Sequence, residues 1–129
     1  MGVSSPVELL VYQKAYDLAM NIYDISKKWP QEEKYALTDQ IRRSSRSVCA
    51  NLREAWAKRW YPAHFVSKLT DCDGENGETS TWLDFARDCG YMDLDMHTTL
   101  FELNREVGRM LGDMIERPGR FLRKRKSDQ

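Results

Sequence analysis

The stretch Leu37-Thr38-Asp39-Gln40-Ile41-Arg42-Arg43-Ser44-Ser45-Arg46-Ser47-Val48-Cys49-Ala50-Asn51-Leu52-Arg53-Glu54-Ala55 decides the reading of this chain. Within it Leu37, Ile41, Ser44, Val48, Leu52 and Ala55 return every three or four positions, the repeat of one face of an α-helix. At about 100° per residue, Arg42, Arg46 and Arg53 fall roughly opposite that face and point outward. Between the two lies a third row, Gln40, Arg43, Ser47, Asn51 and Glu54, which is polar yet spaced as a packing seam would be. One helix therefore presents an inward apolar side, a polar flank and a basic outer stripe.

The same repeat extends in both directions. Upstream, Ser5-Pro6-Val7-Glu8 combines a capping residue, a proline at the first helical position and a glutamate three residues after the cap, so helix 1 is expected to start there. Its stripe is Val11, Ala15, Leu18, Ile22 and Ile25, ended by Trp29-Pro30. Helix 2 is expected to open near Pro30, with Glu32 and Glu33 in its first turn. Downstream of Trp60-Tyr61-Pro62, a third stripe runs Phe65, Leu69, Cys72, Asn76, Thr79, Leu83 and Ala86, with Gly90 as C-cap. Asp93 or Asp95 can cap helix 4, whose stripe is Met96, Leu100, Leu103, Val107, Met110 and Met114. The pattern is all-α, an up-down-up-down four-helix bundle over residues 1–117, followed by a basic, flexible tail over 118–129. Helix 3 is the weak member: Gly74 and Gly77 sit in its interior, and Asn76 and Thr79 put polar groups on its core stripe. Close approach of another helix over the glycines is the expected compensation, with a kink as the other way out.

A chain of 129 residues, 41% hydrophobic and 31% charged, is one domain with one core. No window approaches the roughly 18 apolar residues that span a bilayer, and no secretion signal is present, so a cytoplasmic protein without membrane contact is expected. Cys49, Cys72 and Cys89 are odd in number and widely spaced, which fits buried or half-buried thiols and argues against a disulfide framework or zinc site. The zero net charge hides a cancellation. Residues 42–59 carry six basic and one acidic side chain, residues 71–95 eight acidic and one basic, and residues 116–129 six basic and two acidic.

Two readings stand for the outward arginines, phosphate binding and solubility. The basic set is Arg42, Arg46, Arg53 and Arg59 with the tail residues Arg120, Arg123, Lys124, Arg125 and Lys126, and such tails serve either as arms for RNA or DNA or as solvated termini. On helix 3, Glu75, Glu78 and Trp82 flank the core stripe beside Asp71. With Gln40, Arg43, Ser47, Asn51 and Glu54 they make a candidate interface, in which Arg43 pairs with helix 3 acids within or between chains. Catalytic readings fail. From Asp71, position 6 of a calcium loop would be Asn76 and position 12 Trp82, neither of which fits. The residues three before His64 and His97 are Tyr61 and Leu94, so the Glu-x-x-His repeat of di-iron bundles is missing. Both histidines read as surface or boundary residues, and no cofactor is implied.

The run Leu10-Val11-Tyr12-Gln13-Lys14-Ala15, then Trp29-Pro30-x-x-Glu33-x-Tyr35-x-Leu37-Thr38-x-Gln40-Ile41-Arg42-Arg43, then Ser47-Val48-x-x-Asn51-Leu52-x-Glu54, resembles a bacterial family, the four-helix-bundle proteins encoded by intervening sequences in 23S ribosomal RNA genes. The similarity continues through Phe65, Leu69, Gly74, Glu78, Leu83, Ala86 and Gly90-Tyr91, over about residues 9–115. It implies a homopentameric ring and a non-enzymatic role. A more distant similarity, to accessory proteins of diversity-generating retroelements, implies nucleic acid and a reverse transcriptase as partners. Gln40, Arg43, Ser47, Asn51, Glu54 and Glu78 match the family's polar positions. The chain departs where relatives carry Ile-Pro-x-Asn-Ile-Ala-Glu-Gly, having Arg53 and Ala55 at the small positions, and where their apolar Ala-Leu-Gly-Ser-Leu is Cys72-Asp73-Gly74-Glu75-Asn76. The expectation is a homo-oligomeric scaffold or nucleic-acid-binding accessory, or else a protein-recruiting adaptor.

Overall fold

A computed structural model describes residues 5–124. Four helices, α1 (Leu10–Ser26), α2 (Leu37–Ala57), α3 (Pro62–Asp88) and α4 (Leu94–Glu116), account for most of them, with single 3-10 turns at Pro6–Glu8, Gln31–Glu33 and Pro118–Arg120. The described residues contain no strand. Each helix packs against its chain neighbours, and α1 also packs against α4, which closes an up-down four-helix bundle.

The ends of the helices show which local signals count. The Ser5 side chain makes no capping bond; Pro6–Glu8 forms its own turn, and extended backbone at buried Leu9 separates it from α1. Helix 1 thus starts at Leu10, later than expected. Helix 2 also starts later, at Leu37 and not near Pro30, because Ala36 adopts φ −122°, ψ −106° and breaks the run. Glu33 governs this corner: its carboxylate accepts from Leu37 N at 3.5 Å and from the Tyr91 hydroxyl at 2.8 Å, tying the start of α2 to the α3–α4 turn. That turn is a Schellman motif. Gly90 takes φ +80°, Tyr91 N donates to Ala86 O and Gly90 N donates to Arg87 O. Asp93 then caps α4, accepting from Met96 N at 2.8 Å.

The core has two apolar clusters with a polar layer between them. One holds Val11, Ala15, Val48, Leu52, Phe65, Leu69, Val107 and Leu111; the other holds Leu18, Ile22, Ile41, Leu83, Ala86 and Leu100. Between them Ser44 Oγ lies 2.8 Å from Thr79 Oγ1, and the Thr79 hydroxyl also donates to Glu75 O. Asn76 and Asn104 form a reciprocal pair: each side-chain amide donates to the other residue's carbonyl at 2.9 Å, and Asn104 Nδ2 reaches Asn76 Oδ1 at 3.0 Å. These partners offset the polar groups on α3, since a buried amide without them costs about 1–3 kcal/mol.

Three expectations are corrected here. Gly74 and Gly77 are exposed, and a Cβ at either would meet nothing within 4 Å, so no helix of this chain lies over them. The close approach occurs at Gly108, where a Cβ would stand 3.2 Å from Asn76 Nδ2. On α4 the buried row is His97, Leu100, Asn104, Val107, Leu111 and Met114, rotated from the expected one, with Met96 exposed and Leu103 and Met110 half-buried. His97 is not a surface residue: it is 6% exposed, and its Nε2 lies 2.9 Å from Asp84 Oδ1.

Candidate functional site

The polar flank of α2 faces α3. Arg43 forks across two carboxylates, with Nη2 2.7 Å from Glu78 Oε1 and Nη1 3.2 Å from Glu75 Oε2, while its Nε donates to Gln40. Hydrogen bonds to Glu78 and then Glu75 push its pKa up. About two turns further along, Lys68 of α3 bonds Asn51 Oδ1 at 3.3 Å and pairs with Glu54 and Asp71. The Glu54 carboxyl is held below its ordinary range by the Lys68 ammonium. Asn51 also donates to the carbonyl of half-buried Ser47. Half-buried Trp82 packs on the second core cluster, its ring 5.9 Å from Phe85. The eight residues expected at an interface thus line the α2–α3 side of the bundle, and Arg43 takes its acids within the chain.

The outer stripe of α2 is less free than its spacing suggests, because α1 offers tyrosines beside it. Arg42 is half-buried: Nε donates to Ser26 Oγ at 2.8 Å, Nη2 to Tyr23 O at 3.4 Å, and the guanidinium lies 4.9 Å from the Tyr23 ring centre. This corrects its placement as a purely outward residue. Arg46, exposed, shares the same ring at 5.7 Å, and Arg53 lies over Tyr12 at 5.8 Å. Neither has a carboxylate at ion-pair distance among the described residues. Along this face runs an open groove of about 580 Å³, lined by Lys34, Arg42, Arg43 and Arg46 with Thr38, Ser47 and one acid, Asp39. Tyr35, 83% exposed, stands in the same lining. A neighbouring depression shares Lys34, Thr38 and Arg42 and adds Lys27, so the basic surface continues toward the end of α1.

The remaining basic residues collect at the far end of α2. Arg59 lies 3.6 Å from the Trp56 ring centre and donates to Trp56 O; Arg123 lies 4.8 Å from that of Trp60. Arg120 pairs with Asp113 at 3.6 Å, and Lys124 is exposed. The segment expected as the start of a flexible tail is docked as far as Arg123, since Phe121 and Leu122 pack on the first apolar cluster and Arg123 N donates to Arg59 O. Arg125 and Lys126 lie outside the described residues.

Burial pushes the Cys49 thiol up to about 11 and the Cys72 thiol up to about 12, far from the thiolate range of a nucleophile. Cys89 is exposed. The described residues contain no group of three or more His, Cys, Asp or Glu placed to hold a metal, and the stretch tested as a calcium loop is helix throughout. No described helix is long and apolar enough to cross a membrane.

These features define an all-α up-down four-helix bundle with a hydrogen-bonded polar layer, a paired α2–α3 seam and a basic outer face. The model of the 23S rRNA-intervening sequence protein family matches residues 7–113, and the chain belongs to that family. It is also similar to a crystallised protein of unknown function from the S23 ribosomal protein family of Bacteroides thetaiotaomicron, at 28% identity and a TM-score of 0.75, over 83% of this chain and 96% of that one. No curated protein matches.

Proposed function

We propose that this protein is a non-catalytic accessory that associates with copies of itself and binds nucleic acid through the basic outer face of α2. The groove along α2 carries the reading: Lys34, Arg42 and Arg46 line an open surface beside an exposed tyrosine, with one acid, Asp39, in the lining, while Arg43 at the same groove is already held by Glu75 and Glu78. Phosphates satisfy guanidinium forks, and exposed aromatic rings accept bases. Self-association as a pentameric ring in the cytoplasm is what the family resemblance suggests; the opposite charges of residues 42–59 and 71–95 are met within the chain where Arg43 pairs with Glu75 and Glu78. The test is binding of single-stranded and duplex RNA across a range of ionic strength, with the mass in solution from light scattering. Affinity that ignores salt would refute phosphate contact, and a mass of one chain would refute assembly.

A second reading, a protein-recruiting adaptor, draws on α1. Leu10, Tyr16 and Met20 are 55%, 54% and 44% exposed, and a shallow groove joins Tyr16 and Met20 to Tyr12 and Arg53. Replacing Tyr16 and Met20 by serine separates the two, because it should abolish protein capture and leave RNA affinity intact.

A further inference from the structure

At the end of α2 away from the groove, two guanidinium groups are held close, with no carboxylate at ion-pair distance among the described residues. Arg59 is fixed by the Trp56 ring at 3.6 Å and by its bond to Trp56 O. Its own carbonyl accepts from Arg123 N at 2.9 Å, which brings the second arginine to the same corner. Arg123 in turn lies over Trp60 at 4.8 Å. Neither arginine makes an ion pair among the described residues, whereas Arg117 and Arg120, one turn away, both share Asp113. The repulsion is felt: after burial, the Arg123 charge is what lowers the pKa of Arg59. Lys58 and Lys124 flank the pair in sequence. The same corner leads into α3, whose N-terminus has neither a capping side chain nor an acid in its first turn.

Like charges held together on aromatic shelves form a preorganised anion site. Phosphate bridges two guanidiniums well, through paired N–H···O bonds. The site also offers planar stacking surface, since Trp60 is 38% exposed and Arg123 lies on its ring. Bases splayed from a single strand stack on indole and guanidinium planes, and those of a duplex are already stacked on one another. We infer that Arg59, Arg123 and Trp60 form a phosphate-and-base site for single-stranded nucleic acid, separate from the α2 groove. This rests on the nucleic-acid reading above and gives it a second point of contact on the bundle.

The experiment titrates the full chain against a fluorescein-labelled oligouridine by anisotropy at several salt concentrations. Wild type is compared with Arg123→Gln, Trp60→Leu and Arg46→Glu, with duplex RNA and phosphatidylserine vesicles as parallel probes. Arg123→Gln should weaken single-strand binding and reduce the salt slope by about one contact. Trp60→Leu should weaken it about tenfold with the slope unchanged. Arg123 is exposed, so its variant keeps the test standing even if Trp60→Leu fails to fold. Weakening by Arg46→Glu, with Arg123→Gln and any folded Trp60→Leu binding as wild type, would overturn this site and leave the α2 reading intact. No binding by wild type would remove both. Vesicle binding that needs Arg123, with oligouridine binding indifferent to it, would assign the corner to lipid headgroups and overturn the inference. Duplex binding as tight as single-strand binding and equally blind to Trp60 would remove the stacking role.

Discussion

The Asn76–Asn104 pair gives the most quantitative test of how this bundle is held. Asn104→Leu removes the donor to Asn76 Oδ1 and to Asn76 O, and leaves a buried amide oxygen facing an alkyl group. A stranded acceptor costs about 1–3 kcal/mol and the lost bond about 1 more, so a loss of about 3 kcal/mol is expected, or a fall in Tm of about 10 °C for a chain of this size. Asn76→Leu should cost less, about 1–2 kcal/mol, because Asn104 Nδ2 keeps its bond to the backbone carbonyl of residue 76. Joining both changes leaves no orphaned side-chain amide, so the double variant should lie about 2 kcal/mol above the sum of the singles. Urea denaturation of the four proteins gives the coupling directly. Additive losses to within about 0.5 kcal/mol, or single losses below about 1 kcal/mol, would show that the polar layer does not bind the halves of the core as argued.

Further outcomes follow from other parts of the fold. Gly90→Ala should cost about 1–2 kcal/mol in thermal melts, because the α3 cap needs φ +80°, and unchanged stability would mean that the cap reforms another way. A thiol reagent at neutral pH should find Cys89 fastest, half-buried Cys49 slower and buried Cys72 only on unfolding; three equally fast thiols would contradict this order of exposure. Tyr91 is pushed up to about 12, first by its hydrogen bond to Glu33, and the Cys49 and Cys72 thiols are raised as well, by burial. Groups raised in the folded state contribute fully below their unfolded values and lose that contribution as pH climbs through the folded ones. Stability should therefore decline from about pH 9 toward pH 12. Tyr91→Phe should flatten the part of that decline above pH 10, and an unaltered profile would remove Tyr91 from it.

The inward faces of α2 and α3 were legible because their apolar and small residues recur without competition. α4 was misjudged by a fraction of a turn because Leu103 and Met110 outscore Asn104 and His97 in apolarity. The burial of those polar residues is decided by Asn76 and Asp84, far off in sequence. The close contact expected over Gly74 and Gly77 lies instead at Gly108 for the same reason, set by Asn76 on another helix. The polar seam was visible as a spacing, and its tie to Glu75, Glu78 and Lys68 needed the α2–α3 register. Of the two tyrosines that receive the outward arginines, Tyr12 was read only as part of a motif and Tyr23 not at all, and nothing local to α2 signals either. Nor did the charge of the C-terminal segment disclose that Phe121 and Leu122 anchor it.

The division of labour on α2 is tested most directly by measuring RNA affinity of Arg43→Glu and Arg46→Glu side by side, each referenced to its unfolding midpoint. With the seam closed inside the chain and the outer face open to phosphates, Arg46→Glu should lose RNA affinity and salt dependence at unchanged stability. Arg43→Glu, set against Glu75 and Glu78, should lose stability and bind more nearly as wild type once folded. The reverse pattern, with Arg43→Glu stable and unable to bind and Arg46→Glu unfolded and binding, would contradict the account.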